Sequence, residues 1–371
     1  MEGPEVRGQR RHHDRRRHDH PPPCRRHRPC PLAARRDRQA VAADAARGQG
    51  GGRSDRHHEP GQAHERSRSA VNAATVRTTV PVILNPSARN GAVRKRIAPL
   101  KKVLAADGFS AELVESTSEA HATELAARFA EQGAPIVLSL GGDGMVRAVA
   151  AGLVDTDTAL GIVPGGRGND FIGKLGIPKN VSAAAGLIAG GRNRTIDVLD
   201  LDGRVCVGNV SLGLDSQVQA FADSVRRIRG HWVYLYGLVR AIVRARRIEV
   251  TLTVDDESID FRGFSAGFAN SGRYGGGLKL SPAAEIDDGL IDVVLFTDAA
   301  IPLLALELVA YMFGAGRRLH PHIRFTRARE IHIAAAEAAD PIEIVADGDA
   351  VAQTPATVRI RPGSLTVRVP A

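Results

Sequence analysis

The residues best suited to chemistry stand together at Gly141, Gly142, Asp143 and Gly144. A short apolar run, Ile136-Val137-Leu138, leads into them and helix-forming residues follow, the pattern of a strand, a tight turn and a helix start. Glycine lacks a Cβ, so such a turn lets a phosphate approach the backbone, and the helix beyond it offers unpaired N–H groups and a partial positive charge. Asp143, inside the turn, has the chemistry to hold a metal ion or a ribose hydroxyl. A glycine turn is also a common αβ connection, so the phosphate reading depends on its neighbours. Two further polar, glycine-bearing loops supply them: residues 85–91, with Asn85 and Ser87, and residues 165–170, with Arg167, Asn169 and Asp170.

The elements that must position these loops follow from hydrophobic periodicity. Residues 79–84, 111–115, 136–140 and 159–163 read as strands, each followed by a helix with an apolar stripe. Ile97, Leu100, Val103 and Leu104 mark the first helix; Ala122, Leu125, Ala126 and Phe129 mark the second, with Thr117 or Ser118 as its cap. Successive strand–loop–helix units predict a parallel sheet covered on both faces, with ligands beyond the carboxyl ends of its strands. The three loops lie at those ends. After residue 198 the texture changes to short strands at 205–212, 248–254, 259–268, 291–296, 323–325, 331–334, 342–345, 358–360 and 365–369. Helices are expected at 214–228, 231–247 and 299–313. The expected fold is an α/β domain over 77–197 followed by a mainly β, sandwich-like domain over 198–371.

Residues 1–70 hold 17 Lys+Arg against 9 Asp+Glu, and the rest of the chain 33 against 32, so the basic character belongs to a leader. That leader, over residues 1–76, has no hydrophobic period and is expected to be disordered. Cys24 and Cys30 around His27 fit no common zinc spacing. Only Cys206 falls in the folded part, and no apolar run is long enough to span a bilayer. Seven arginines, Arg226, Arg227, Arg229, Arg240, Arg244, Arg246 and Arg247, gather around Trp232, as a solvated face or a surface for anionic lipid. Taken alone, Asp170 reads as a helix cap, Asp197 as a turn residue and Asp347-Gly348 as a hairpin pair.

Taken in order, several segments resemble the diacylglycerol kinase catalytic family of bacterial soluble lipid kinases, relatives of sphingosine kinases. They are Asn85-Pro86-Ser87, Thr117 to His121, the glycine turn, Gly168-Asn169-Asp170-Phe171, Asp288-Gly289 and Asp347-Gly348-Asp349. The resemblance covers roughly residues 79–371. It implies an ATP-dependent, Mg²⁺-requiring lipid kinase with diacylglycerol as the default acceptor. Asn85, Ser87, Thr117, Gly141, Gly142, Asp143, Gly144, Arg167, Asn169 and Asp349 would hold the nucleotide. Asp143, Asp170 and Asp197 would organise Mg²⁺ through water, and Glu285, Asp288 and Leu290 resemble a second, structural metal site. Asp347 matches the general base. Arg167 stands where the family has Thr, a cation that can pair with phosphate; Met145 and Asp349 stand where it has Thr and Glu. The expected partners are a lipid at a membrane surface and, as an open alternative, a second copy of the chain. Nucleic acid is not expected. The expected location is cytoplasmic and peripherally membrane-associated. An NAD or polyphosphate kinase, and a non-catalytic nucleotide- or lipid-binding protein, are the competing readings.

Overall fold

Each strand expected near the start of the folded part forms, and each alternates between two apolar layers. In β1 (Thr78–Leu84), Val80, Val82 and Leu84 pack with Leu100 and Leu104 of α1 (Arg94–Ala106) and with Ala185 and Ile188 of α5 (Val181–Gly190). Ile83 belongs to the opposite layer, with Leu125 and Ala126 of α2 (Glu119–Glu131) and Val146 and Val149 of α3 (Asp143–Leu153). Burial on both faces requires apolar residues at successive positions, which is why these strands read as continuous runs. The computed structural model describes residues 78–86, 93–166, 170–213, 246–274, 278–312, 320–336 and 340–371. The leader, Ser87, Arg167, Asn169, the helix expected at 214–228, all but the last two residues of that at 231–247, and the arginines from Arg226 to Arg244 lie outside these residues.

β1, β2 (Phe109–Glu115), β3 (Ile136–Gly141) and β4 (Ala159–Pro164) pair in parallel in the order β2-β1-β3-β4. Ser118 caps α2, its Oγ accepting from the His121 N–H at 3.1 Å. The short α4 (Asp170–Lys174) follows β4.

The second lobe is built on β5 (Arg192–Leu201), β6 (Arg204–Cys206), β7 (Asn209–Gly213), β8 (Ile248–Val254), β9 (Glu257–Ala269), β10 (Arg273–Tyr274), β11 (Leu278–Lys279) and β12 (Ile291–Thr297). Then come α6 (Ile301–Met312), β13 (Ile323–Ala328), β14 (Glu330–Ala335), β15 (Glu343–Ala346), β16 (Asp349–Gln353) and β17 (Ala356–Val369). Its core gathers Val210, Leu212, Leu252, Phe268, Val293 and Ile331.

Two strand expectations are corrected. The run 205–212 is not one strand, because the chain breaks pairing at Val207-Gly208, between β6 and β7. The runs 358–360 and 365–369 are one strand, β17, which passes through Pro362-Gly363 with a register shift between Arg361 and Leu365. β17 pairs antiparallel with β14 and β5, then meets β4 in parallel where Val367 stands opposite Leu160. Among the described residues one sheet of fifteen strands therefore runs through both lobes.

Candidate active site

The site is assembled from the carboxyl edge of the parallel sheet and the β15–β16 hairpin. At the sheet edge the turns after β3 and β4 lie against each other. A Cβ on Gly165 would fall 2.8 Å from the Gly141 Cα, and one on Gly142 would fall 3.2 Å from the Gly166 Cα, so the close approach needs glycine. Arg96 of α1 donates to the Pro164 carbonyl at 2.7 Å and brings a cation to the same edge. Asp143 is the first residue of α3, and Asn85 follows β1, both half-buried. Thr117 follows β2, exposed, its Oγ1 3.1 Å from His121 Nδ1.

Asp347 and Gly348 form the two-residue loop of the hairpin, with φ of +50° and +94°. An Asp-Gly pair suits such a loop, since both residues must take positive φ. The hairpin therefore turns tightly, and the Asp347 carboxylate reaches the break between β6 and β7. There Oδ2 accepts from the Val207 N–H at 2.9 Å, and Oδ1 accepts from Gly208 at 2.7 Å and Asn209 at 3.2 Å. This explains the missing strand residues: their N–H groups leave the ladder to hold a carboxylate. A Cβ on Gly208 would lie 2.6 Å from Oδ1, so only glycine admits the carboxylate. Burial pushes the Asp347 carboxyl above the usual carboxylate range, while the three amides and the Arg147 guanidinium pull the other way. Three of about four acceptor positions are filled, which leaves Oδ2 one with which to take a proton. The neighbouring Cys206 thiol is pushed up by burial and by the Asp347 charge.

Behind this turn lies Arg147, four residues past Asp143 on α3. Its Nη2 is 2.8 Å from Glu119 Oε1 and 2.8 Å from Asp349 Oδ2, and its Nη1 is 3.3 Å from the Ala346 carbonyl. Burial works against the charged guanidinium, but Glu119 and Asp349 outweigh it and hold its pKa above the ordinary value. Neither Arg147, Glu119 nor Arg96 was singled out from the sequence. Only Arg147 left a signal there, as a lone cation within the apolar helical run Met145 to Leu153.

Of the other expected site residues, Asp197 lies on β5, Glu285 to Leu290 just before β12, and Asp170 at the start of α4. Asp197 is 2 % exposed, and its Oδ1 and Oδ2 accept the Gly363 and Gly289 N–H groups, each at 2.7 Å. The resemblance puts Asp197 among the metal carboxylates; in the structure its two oxygens tie β17's irregular stretch and the Asp287-Asp288-Gly289 turn to β5. Glu285 lies 4.0 Å from Lys174 Nζ. Asp288 accepts the Leu290 N–H at 3.1 Å and stands 3.5 Å from Arg327. Asp170 begins α4, its side chain outside the described set. Among the described residues, no three His, Cys, Asp or Glu side chains stand close enough together to hold a metal ion.

Abutting glycine turns at the edge of a parallel sheet, tied through Arg147 to a carboxylate-bearing β hairpin, point to a class, the two-lobed phosphotransferases. Comparison with known proteins narrows it. Residues 79–201 match the diacylglycerol kinase catalytic domain, and residues 208–369 match the YegS C-terminal NAD kinase beta sandwich-like domain. A diacylglycerol kinase of Mycobacterium tuberculosis (strain ATCC 25618 / H37Rv) is 33 % identical over 265 residues, 68 % of this chain and 82 % of that protein. A probable lipid kinase YegS-like of Stenotrophomonas maltophilia is 28 % identical over 278 residues, covering 71 % and 88 %. The structure of a putative diacylglycerol kinase from Bacillus anthracis str. Sterne superposes with a TM-score of 0.67 at 24 % identity, covering 78 % and 97 %, and it shares the fold. The chain belongs to the diacylglycerol kinase family and is a kinase.

Proposed function

We propose that the chain transfers the γ-phosphate of ATP to the hydroxyl of diacylglycerol or a related lipid, with Mg²⁺. The observation that carries this reading is the Asp347 carboxylate, oriented by three amides on a hairpin that Arg147 ties to the helix beginning at the family-matched glycine turn. Asp347 Oδ2 takes the proton as the lipid oxygen bonds to the γ-phosphorus; the bond from that phosphorus to the β–γ bridging oxygen breaks, and ADP leaves. Phosphoryl transfer asks the protein mainly for positioning and charge neutralisation, which the turn amides and Arg96 supply. Mg²⁺ would be held by Asp143 and Asp170 together with the phosphates, neutralising charge as the bond breaks. A second reading makes Asp349 the base, favoured by its exposure: its side chain is 57 % open, and Arg147 occupies only Oδ2.

Membrane association is part of the proposal and is supported by α6. Ile301, Leu303 and Leu306 are exposed, Leu306 at 67 %. Beneath them the buried Glu307 accepts from the His322 N–H at 3.3 Å and pairs with its Nδ1 at 2.7 Å. No helix among the described residues is long and apolar enough to cross a membrane.

The test is label transfer from γ-labelled ATP with Mg²⁺ to mixed lipid micelles, with wild type, Asp347→Asn and Asp349→Asn side by side. A labelled lipid from wild type and Asp349→Asn, and none from Asp347→Asn, is the expected outcome. Label retained in Asp347→Asn and lost in Asp349→Asn would move the base to Asp349. Label on NAD with no labelled lipid would replace the acceptor class.

A further inference from the structure

Arg147 has only 4 % of its side chain exposed, yet sits in a helical run that is otherwise apolar. A guanidinium so placed is costly unless its planar fork of N–H donors is met. Here it is met from α2 and from both strands of the β15–β16 hairpin. Nη1 donates to the carbonyl of Ala346 and Nη2 to the carboxylate of Asp349, the residues that bracket Asp347-Gly348. The same Nη2 also reaches Glu119 Oε1 and Oε2 at 2.8 and 2.9 Å. Glu119 in turn lies against the phosphate-side turn, since a Cβ on Gly144 would come 3.1 Å from its Oε1. Arg204 of β6, 3.5 Å from Glu119 Oε2, braces the same carboxylate. One buried cation thus ties the base-bearing hairpin of the β lobe to the helix that starts at the glycine turn of the α/β lobe.

We propose that Arg147 is a positioning residue: its fork, anchored on Glu119 and closed on Ala346 and Asp349, sets the distance between Asp347 and the phosphate-binding turn. This rests on Asp347 being the base of a phosphoryl transfer. Reacting atoms tolerate little displacement, and a shift of about 1 Å can cost about 100-fold in rate. A purely structural Arg147 would lower the folded fraction and leave the rate per folded molecule alone.

Steady-state kinetics of Arg147→Met and Arg147→Lys, normalised to folded protein, separate the two roles. Arg147→Met is expected to lose about 100-fold in kcat with the KM for ATP changed less than about threefold, and Arg147→Lys to recover part of that loss. A kcat for Arg147→Met within about threefold of wild type would overturn the proposal. Should Arg147→Met fail to fold, Glu119→Ala loosens the anchor and spares the hairpin contacts. It is expected to lose about tenfold in kcat, and an unchanged kcat would overturn the proposal equally.

Should wild type phosphorylate no lipid, the lipid-acceptor reading falls, and Arg147 is judged by carboxyl ¹³C NMR, with Asp347→Asn assigning the resonance. The titratable and charged groups around Asp347 are Arg147 of α3, the Cys206 thiol of β6 and Asp349 of its own hairpin, with Glu119 of α2 and Arg204 of β6 behind Arg147. Losing the cation disfavours the carboxylate, so Asp347 is expected to titrate at higher pH in Arg147→Met than in wild type. An unmoved titration would overturn the proposal.

Discussion

Asp197 and Asp347 are both aspartates held by backbone N–H groups, yet their surroundings divide them. Asp197 is buried, and each of its oxygens is bonded to a different loop, Gly289 on one side and Gly363 on the other. Asp347 is half-buried, takes three amides from one strand break, and keeps a cation beside it. A carboxylate whose capacity is divided between two segments of backbone joins them. One fixed from a single side, with a face left over, is prepared for a ligand.

The sharpest way to break that contrast is Asp347→Asn. Loss of a general base is expected to cost about 10²–10⁴-fold in kcat, measured per folded molecule by label transfer. Gly208→Ala comes next, because its Cβ would displace Oδ1 from the amides. A loss of about 10–100-fold is expected, and an activity equal to wild type would show that the amide cradle does not matter. Asp197→Ala should invert the pattern. Two buried N–H groups lose a charged acceptor, so unfolding in urea is expected at roughly 2–4 kcal/mol lower stability, with kcat per folded molecule little changed. A tenfold or greater loss of kcat would favour the metal role that the resemblance implies for Asp197. The smallest effect is on pH. The folded-state pKa of Asp347 is raised, so its contribution to stability is present at low pH and is lost as pH rises through that value. Wild type should therefore lose stability relative to Asp347→Asn as pH rises from about 4, and the acid limb of kcat/KM should lie above the ordinary aspartate value of about 3.9.

Much of this was legible in the chain. The glycine turn could be read because an apolar strand and a helix flank it, and the lobe change could be read because the hydrophobic period changes. The break at Val207-Gly208 could not, since the apolar run continues through it and its cause, Asp347, is far away in sequence. Pro362-Gly363 looked like a strand end, yet Gly363's N–H is taken by Asp197 and the strand resumes. Arg147 left only an odd charge on an apolar helix, because an ion network across three elements has no local signature. Asp197 read as a turn residue or a ligand; its two backbone partners come from distant loops.

The path of β17 also sets an order of events during synthesis. Leu160 of β4 pairs early with Val137 of β3, but its other edge is covered only when Val367 has been made. Strand β5, paired with β6 on one edge, waits for the same strand on the other. At about 5–20 residues per second, the α/β lobe spends on the order of tens of seconds with an open strand edge. An exposed edge is a template for pairing with other chains. Newly made molecules are therefore most vulnerable to aggregation just before their last strand arrives, and a chain truncated after β5 would hold that vulnerable state permanently.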